Sequence, residues 1–276
     1  MLIKTVSPDA APSHVRKFFS GLFSLIFPDD CRICEQPLLE ISRVPVCNAC
    51  IAKVEPLASD YFCAQCRAPF RNAFPLDEKG LCALCRRGVS GFDAAYSYGF
   101  YEGELRELIH LFKYGKVQTL AKPLARYLAL ALPREESFDA IVPMPLHWRK
   151  RWERGFNQAD LLAQEISRRT HTPVKSALRR VRATVAQAGL TNAKRRKNVS
   201  GAFRANGDKA LRGKRILLVD DVMTTGSTAA ACARALKIAG ARRVVLLTLA
   251  RTDRRIGFDI ELRDTNFSGS TEHAQS

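Results

Sequence analysis

Residues 216–228 read ILLVDDVMTTGST, and no other stretch of the 276-residue chain restricts the fold so tightly. Four aliphatic residues after Gly213 and Lys214 predict a strand buried on both faces, as in a parallel sheet covered by helices. The run leads straight into Asp220 and Asp221. An unpaired carboxylate in a core costs several kcal/mol, so the strand is expected to end at Asp220 and the acids to sit in the turn that leaves the sheet. In open α/β sheets that carboxyl edge binds ligands. Beyond it, Met223 precedes Thr224, Thr225, Gly226, Ser227 and Thr228, and residues 228–239 form an Ala-rich segment stopped by Gly240, which predicts a helix. A hydroxyl-rich loop with a glycine, placed at a helix N-terminus, offers N–H and O–H donors to a phosphate. Carboxylate acceptors suit a sugar diol. Acceptors followed by donors fit a ribose 5-phosphate, which carries both groups.

This segment closely resembles the 13-residue PRPP motif of type I phosphoribosyltransferases, with its aliphatic run, two acids and threonine-glycine loop. A receiver domain also places an acid pair at a strand end, but it needs a phosphoacceptor Asp one strand-helix unit later. Only one more strand follows here, residues 244–250 (VVLLTLA). Upstream, residues 92–100 alternate as a strand, 102–114 and 120–132 have helical spacing, 139–143 (DAIVP) form a short buried strand, and 157–169 an amphipathic helix. Strands alternating with helices predict an α/β domain with a parallel sheet and helices on both faces.

A second stretch with binding character follows the DAIVP strand. Pro143, Met144, Pro145 and Leu146 force an extended exit from the sheet, and Arg149, Lys150, Arg151 and Arg154 are expected to crowd one loop before Gly155. Cations gathered this way call for an anion, and arginine suits the paired oxygens of a diphosphate. A solvated basic turn or a nucleic-acid patch would read the same on charge alone. Trp148, Trp152 and Phe156 lie among these cations, either as core packing or as stacking surfaces for bases. Lys and Arg outnumber Asp and Glu by 44 to 27, a net charge of +17, and 19 basic residues against four acids fall in residues 149–215. The positive charge is thus regional and attracts polyphosphate and nucleic acid alike.

Eight of the nine cysteines form four C-x-x-C pairs: Cys31 and Cys34, Cys47 and Cys50, Cys63 and Cys66, Cys82 and Cys85. Each pair puts two thiolates on one tight turn, the knuckle that tetrahedral zinc requires. With no secretion signal a cytoplasmic, reduced chain is expected, which favours structural zinc over disulfides. CRICEQP and CAQCRAP repeat one pattern, each followed by a plain C-x-x-C, which suggests two sequential ribbons. Interleaving would lengthen the closed loops from 12 and 15 residues to 28 and 31, at about 0.7 kcal/mol per site, so loop entropy leaves both pairings open. Cys232, among alanines, reads as a small core residue. No apolar run is long enough to span a bilayer; FFSGLFSLIF at 18–27 is read as a helix that packs on the protein, so no stable membrane insertion is expected.

The order of these pieces, zinc knuckles, LFKYGK at 111–116, PMPLHWRKRWERGFNQAD, a basic stretch at 179–203 with Gln187, Arg195 and Asn198, then ILLVDDVMTTGST, closely resembles the ComF family of competence proteins and its GntX-like relatives. The resemblance spans roughly residues 31–251. It implies a double zinc ribbon at 29–88, a phosphoribosyltransferase domain at 89–255, and tails at 1–28 and 256–276. It further implies that Asp220 and Asp221 hold the ribose diol in the catalytic site, that residues 223–228 hold the 5-phosphate, that the segment ending at Arg154 holds the diphosphate with Mg²⁺, and that the basic stretch is a hood loop closing over PRPP. Two functions follow from different classes: a phosphoribosyltransferase of unknown acceptor working in DNA uptake, and a single-stranded-DNA-binding competence factor whose PRPP site is regulatory or vestigial. Partners would be PRPP, single-stranded DNA and a competence helicase or other uptake machinery.

Overall fold

The computed structural model describes residues 30–38, 43–88, 91–182, 201–206 and 211–253. The helix expected at 18–27, the residues Gln187, Arg195 and Asn198, and the tail at 256–276 lie outside them. The chain forms two compact units, residues 1–53 and 54–276. The first contains the cysteines Cys31, Cys34, Cys47 and Cys50 and a short helix, α1 (Asn48–Ala52), capped by the Cys47 sulfur, which accepts from the Cys50 N–H.

In the second unit the chain runs β1 (Tyr61–Phe62), β2 (Pro69–Phe70), α2 (Ala83–Arg86), β3 (Ala94–Phe100), α3 (Gly103–Lys113), a single 3-10 turn, α4 (Ala121–Ala131), β4 (Ala140–Pro143), α5 (Trp148–Arg154), α6 (Gln158–Thr170), β5 (Leu178–Arg180), β6 (Phe203–Ala205), β7 (Arg215–Met223), α7 (Ser227–Ile238) and β8 (Arg243–Arg251). Four strands form a parallel sheet in the order β3, β8, β7, β4. The aliphatic runs are what make this possible: Ile216, Leu217, Leu218 and Val219, and Val244, Val245, Leu246 and Leu247, are all buried. Each such side chain contributes about 1.5–3 kcal/mol.

Alternation along the strands sends their side chains to two cores. Val142, Ile216, Leu218, Val244 and Leu246 join Cys232 and Leu236 of α7 in one. On the other face α4 and α6 pack against each other, α4 crossing β3 and β8 and α6 crossing β7 and β4. Helices therefore cover both faces, as the sequence implies, and Cys232 is fully buried in the core. The described ends of the basic stretch, β5 and β6, pair as a small antiparallel sheet, Leu178 opposite Ala205, and pack against α7.

Two expectations are corrected. The strand expected to end at Asp220 continues to Met223, because β8 is equally long and pairs with it through Asp220, Val222 and Met223. The acids stand inside a paired strand instead of in the turn. The cations expected on one loop lie on a short helix, α5, started by His147, whose Nδ1 accepts from the Arg149 N–H at 3.3 Å, and ended by Gly155 at φ 80°. That left-handed φ suits glycine. The helix separates the cations around its girth, which lowers the repulsion that a loop would concentrate.

Candidate functional site

The carboxyl edge of the sheet gathers β4, β7 and β8 at one place. Pro143 closes β4 opposite Val219, and the Met144 N–H donates to the Val219 carbonyl at 2.8 Å. The exit segment is then stapled to α6 by Asn157. Its side-chain N–H donates to the Met144 carbonyl at 3.0 Å, and its Oδ1 accepts from the Ala159 N–H at 3.2 Å as the helix cap.

Beside this edge a small open recess of about 120 Å³ is lined by Asp220, Met223, Thr224, Gly226, Ser227, Thr228 and Thr248 among others. Gly226 has φ 74° and turns the chain into α7. Thr225 and Ser227 share a hydroxyl hydrogen bond of 2.8 Å, and the Ser227 N–H donates to Thr225 Oγ1 at 3.4 Å. The N-terminal end of a twelve-residue helix thus opens on the recess, carrying the partial positive charge of its dipole.

The two acids separate to opposite faces of β7, as strand alternation requires. Asp220 lines the recess and accepts from the Asp221 N–H at 2.9 Å. Asp221 is buried and pairs with Lys113 of α3, Oδ1 to Nζ at 2.8 Å, with both side chains 13% exposed. Burial, reinforced by the charge of Asp221, pushes the Asp220 carboxyl up to about 7, while Lys113 and Arg154 pull it back. Burial alone would lower the Lys113 ammonium; the Asp221 charge and hydrogen bond more than reverse this, and its affinity for the proton is raised.

The cations of α5 divide. Arg154 stacks on Tyr114 at 5.1 Å, donates to Gln158 Oε1 at 2.9 Å, and acts electrostatically on Asp220. Arg149 lies over the Trp148 ring at 5.2 Å, and Arg151 acts on Asp160. Burial and the charges of Arg180, Arg149 and Lys150 depress the His147 pKa, so β5 and α5 contribute to one positive field. Phe156 is core, packed on Phe112. Trp148 and Trp152 are 67% and 85% exposed, and four residues apart on a helix they share a face.

The cysteines group sequentially, Cys31, Cys34, Cys47 and Cys50 in one tetrad and Cys63, Cys66, Cys82 and Cys85 in the other, the sulfurs of each within 4.8 Å of one another. This decides between the two pairings left open by the loops. Sulfur separations of 3.9 Å (Cys31 to Cys50), 3.7 Å (Cys34 to Cys47) and 3.8 Å (Cys66 to Cys82) match the edge of about 3.8 Å of a tetrahedron with ligands at about 2.3 Å. The residues fit zinc, and either tetrad could hold it.

Sequence reasoning passed over two residues of this site. Lys113 lies inside the quoted LFKYGK, and a lysine amid Leu111, Phe112 and Tyr114 is the signal that could have found it, since a buried lysine needs a carboxylate. Asn157 stands at the start of the expected helix, where an Asn serves equally as an ordinary cap.

The parallel sheet, acid-bearing strand and hydroxyl loop define a type I phosphoribosyltransferase-like domain, and residues 154–267 match the family described as phosphoribosyl transferase domain. Along most of its length the chain is similar to the DNA utilization protein YhgH of Escherichia coli strain K12, 33% identical over 236 residues, 83% of this chain and 99% of that one. It is 31% identical to competence protein F of Haemophilus influenzae over 221 residues, 77% of this chain and 93% of that one. Competence protein ComFC of Bacillus subtilis shares 34% identity over 119 residues, 41% and 44% of the two chains. The chain belongs to the ComF family. Among the described residues no helix is long and apolar enough to cross a membrane.

Proposed function

We propose that this chain binds PRPP with Mg²⁺ and transfers its phosphoribosyl group to an acceptor, as a cytoplasmic protein in the handling of imported DNA. The observation that carries the reading is the recess in which Asp220, Gly226, Ser227 and Thr228 meet at the N-terminus of α7. Asp220 accepts from ribose hydroxyls, with Asp221 paired to Lys113 behind it. The hydroxyls and backbone N–H groups of residues 223–228 hold the 5-phosphate. Pro143, Met144, Pro145 and Leu146 lead from the adjacent strand end to α5, where Arg154, the cation that acts on Asp220, receives the diphosphate as it departs while Arg149 and Arg151 add to the positive field. Bound Mg²⁺ would neutralise charge on that leaving group. In sequence the cysteine ribbons span 29–88 and the transferase 89–255, with the second ribbon inside the same compact unit as the transferase. The role in DNA use rests on the names of the relatives. Release of pyrophosphate from PRPP, screened against candidate acceptors, tests the transfer; binding without release under every acceptor would reduce the site to a sensor.

A second reading has its own support. The shared face of Trp148 and Trp152, with Arg149, Arg151 and Arg154 on the same helix, is a stacking platform with phosphate partners for single-stranded DNA. Excess PRPP would compete with DNA if the arginines serve both ligands. Anisotropy with labelled oligonucleotide, with and without PRPP, separates a shared path from two independent ones.

A further inference from the structure

The second cysteine tetrad is bonded to the start of the outer strand β3 and to Arg251, which ends β8 beside the phosphate loop. Its first knuckle, residues 63–66, is bonded twice to sheet residues and once to Phe92 just before β3. The Ala95 N–H donates to the Gln65 carbonyl at 2.9 Å, Gln65 Nε2 donates to the Phe92 carbonyl at 2.6 Å, and Arg251 Nη1 donates to the Cys66 carbonyl at 2.8 Å. Arg251 closes β8, is 1% exposed, and stands in register with Met223 on one side and Phe100 on the other. The next residue continues the link: the Thr252 N–H donates to the Met223 carbonyl at 3.1 Å and its hydroxyl to the Thr224 carbonyl at 3.5 Å. Phe92 reaches the loop as well, since a Cβ on Gly226 would lie 3.9 Å from its ring and 3.6 Å from Met223 Sδ. The four cysteines share one continuous core with Phe92 and Met223.

The geometry points to Arg251 and Gln65 as positioning residues that couple the second cysteine tetrad to the phosphate loop, so that zinc at the tetrad and PRPP at residues 223–228 bind cooperatively. The choice of PRPP rests on the function proposed above; the mechanical link does not. A guanidinium removed from water is tolerated only where its partners are fixed, and the Cys66 carbonyl is fixed only while the knuckle keeps its fold. Four converging thiolates repel one another without a cation. With Zn²⁺ the tetrad carries +2 − 4 = −2 formal charges, and a buried arginine at Cys66 offsets part of that. Emptied, the knuckle relaxes, the Arg251 bond to the Cys66 carbonyl weakens, and the ends of β7 and β8 that set the loop loosen together. Reciprocity then requires PRPP to tighten zinc by the factor by which zinc tightens PRPP, about tenfold for a coupling of ordinary size.

The test uses the full zinc-loaded chain. Hydrogen exchange read on peptides covering residues 223–228 should speed up in Arg251→Ala, and equally in wild type stripped of zinc. PRPP affinity by calorimetry should fall about tenfold, and PRPP with Mg²⁺ should slow the loss of zinc to a chelator in wild type but not in the variant. Arg251→Lys, which keeps an N–H donor for the Cys66 carbonyl, should recover most of each effect, whereas a role in bulk packing would not be rescued this way. If Arg251→Ala fails to fold, Gln65→Ala and the zinc-stripped wild type carry the same comparison. Should wild type bind no PRPP, the ligand is wrong while the exchange data still decide the link. Unchanged exchange at residues 223–228 on zinc removal overturns it.

Discussion

Asp220→Asn separates binding from folding better than any other change at the site. Asn keeps an Oδ1 that can accept from the Asp221 N–H, the 2.9 Å bond seen for Asp220, and it leaves the Lys113 pair with Asp221 intact. What is lost is a charged acceptor for ribose hydroxyls. Hydrogen bonds to charged groups contribute about 1.5–3 kcal/mol, so PRPP affinity at pH 8 should fall about 10- to 150-fold. The pH dependence gives a second signature. With the Asp220 carboxyl raised to about 7, the ionised fraction of the free protein drops about tenfold from pH 8 to 6, and wild-type affinity should drop with it. D220N should show only the titration of the ligand's own phosphates, so the two proteins converge in acid. Stability moves in the opposite sense. A folded pKa above the unfolded one means that the folded state holds the extra proton between about pH 4 and 7, so the ionised form costs stability above pH 7. D220N should therefore melt higher than wild type at pH 8, by an amount that shrinks as pH falls through that window and vanishes below it. Calorimetric titrations and thermal melts across pH 5–8 measure both. D220N binding PRPP within twofold of wild type at pH 8 would refute the placement of the ribose.

Metal analysis of the purified chain should return two zinc ions, and Cys63→Ser one, with the second unit destabilised because its tetrad shares the sheet's core; zero zinc with oxidised thiols would contradict the tetrahedral reading. Lys113→Met strands a buried Asp221 and should cost about 3 kcal/mol in denaturant melts, most of it recovered in the Lys113→Met, Asp221→Leu double variant; a loss under about 1 kcal/mol would mean the pair is screened like a surface one. Single-stranded DNA binding should weaken with salt by about 0.7 per contacted phosphate on logarithmic axes, and replacing Trp148 and Trp152 with Ala should cost about 1–3 kcal/mol per stacked base with the salt slope unchanged; a flat salt response would exclude the electrostatic mode.

Periodicity alone located the elements that position the site. The expected strands at 92–100, 139–143 and 244–250 correspond to β3, β4 and β8, and the helix at 157–169 to α6, within one or two residues. These segments have consistent local patterns, buried aliphatic runs or a 3.6-residue apolar stripe. The boundaries that failed are those decided by distant partners. Asp220 and Asp221 look like the end of a strand because carboxylates disfavour burial, yet the backbone of β8 extends the pairing to Met223. The separation of the acids to two faces follows from that extension. Lys113 could not be matched to Asp221 without the topology that brings α3 to the edge. At α5, proline and crowded charge argued for a loop, whereas His147 and Gly155 supply both caps of a helix.

The strand order also shapes how the chain is made. β3 is the first strand of the parallel sheet to be synthesised, and its described partner is β8, the last. About 150 residues separate their ends, so at 5–20 residues per second β3 waits roughly 10–30 s for a neighbour. During that interval its backbone edge and the buried Ala94, Ala95 and Tyr98 are open to pairing with other chains. The Cys66 carbonyl waits longer still for Arg251, 185 residues on. A nascent chain could fill its cysteines early yet assemble the sheet only after β8 has emerged, which makes chaperone dependence and sensitivity to loss of β8 properties of the topology itself.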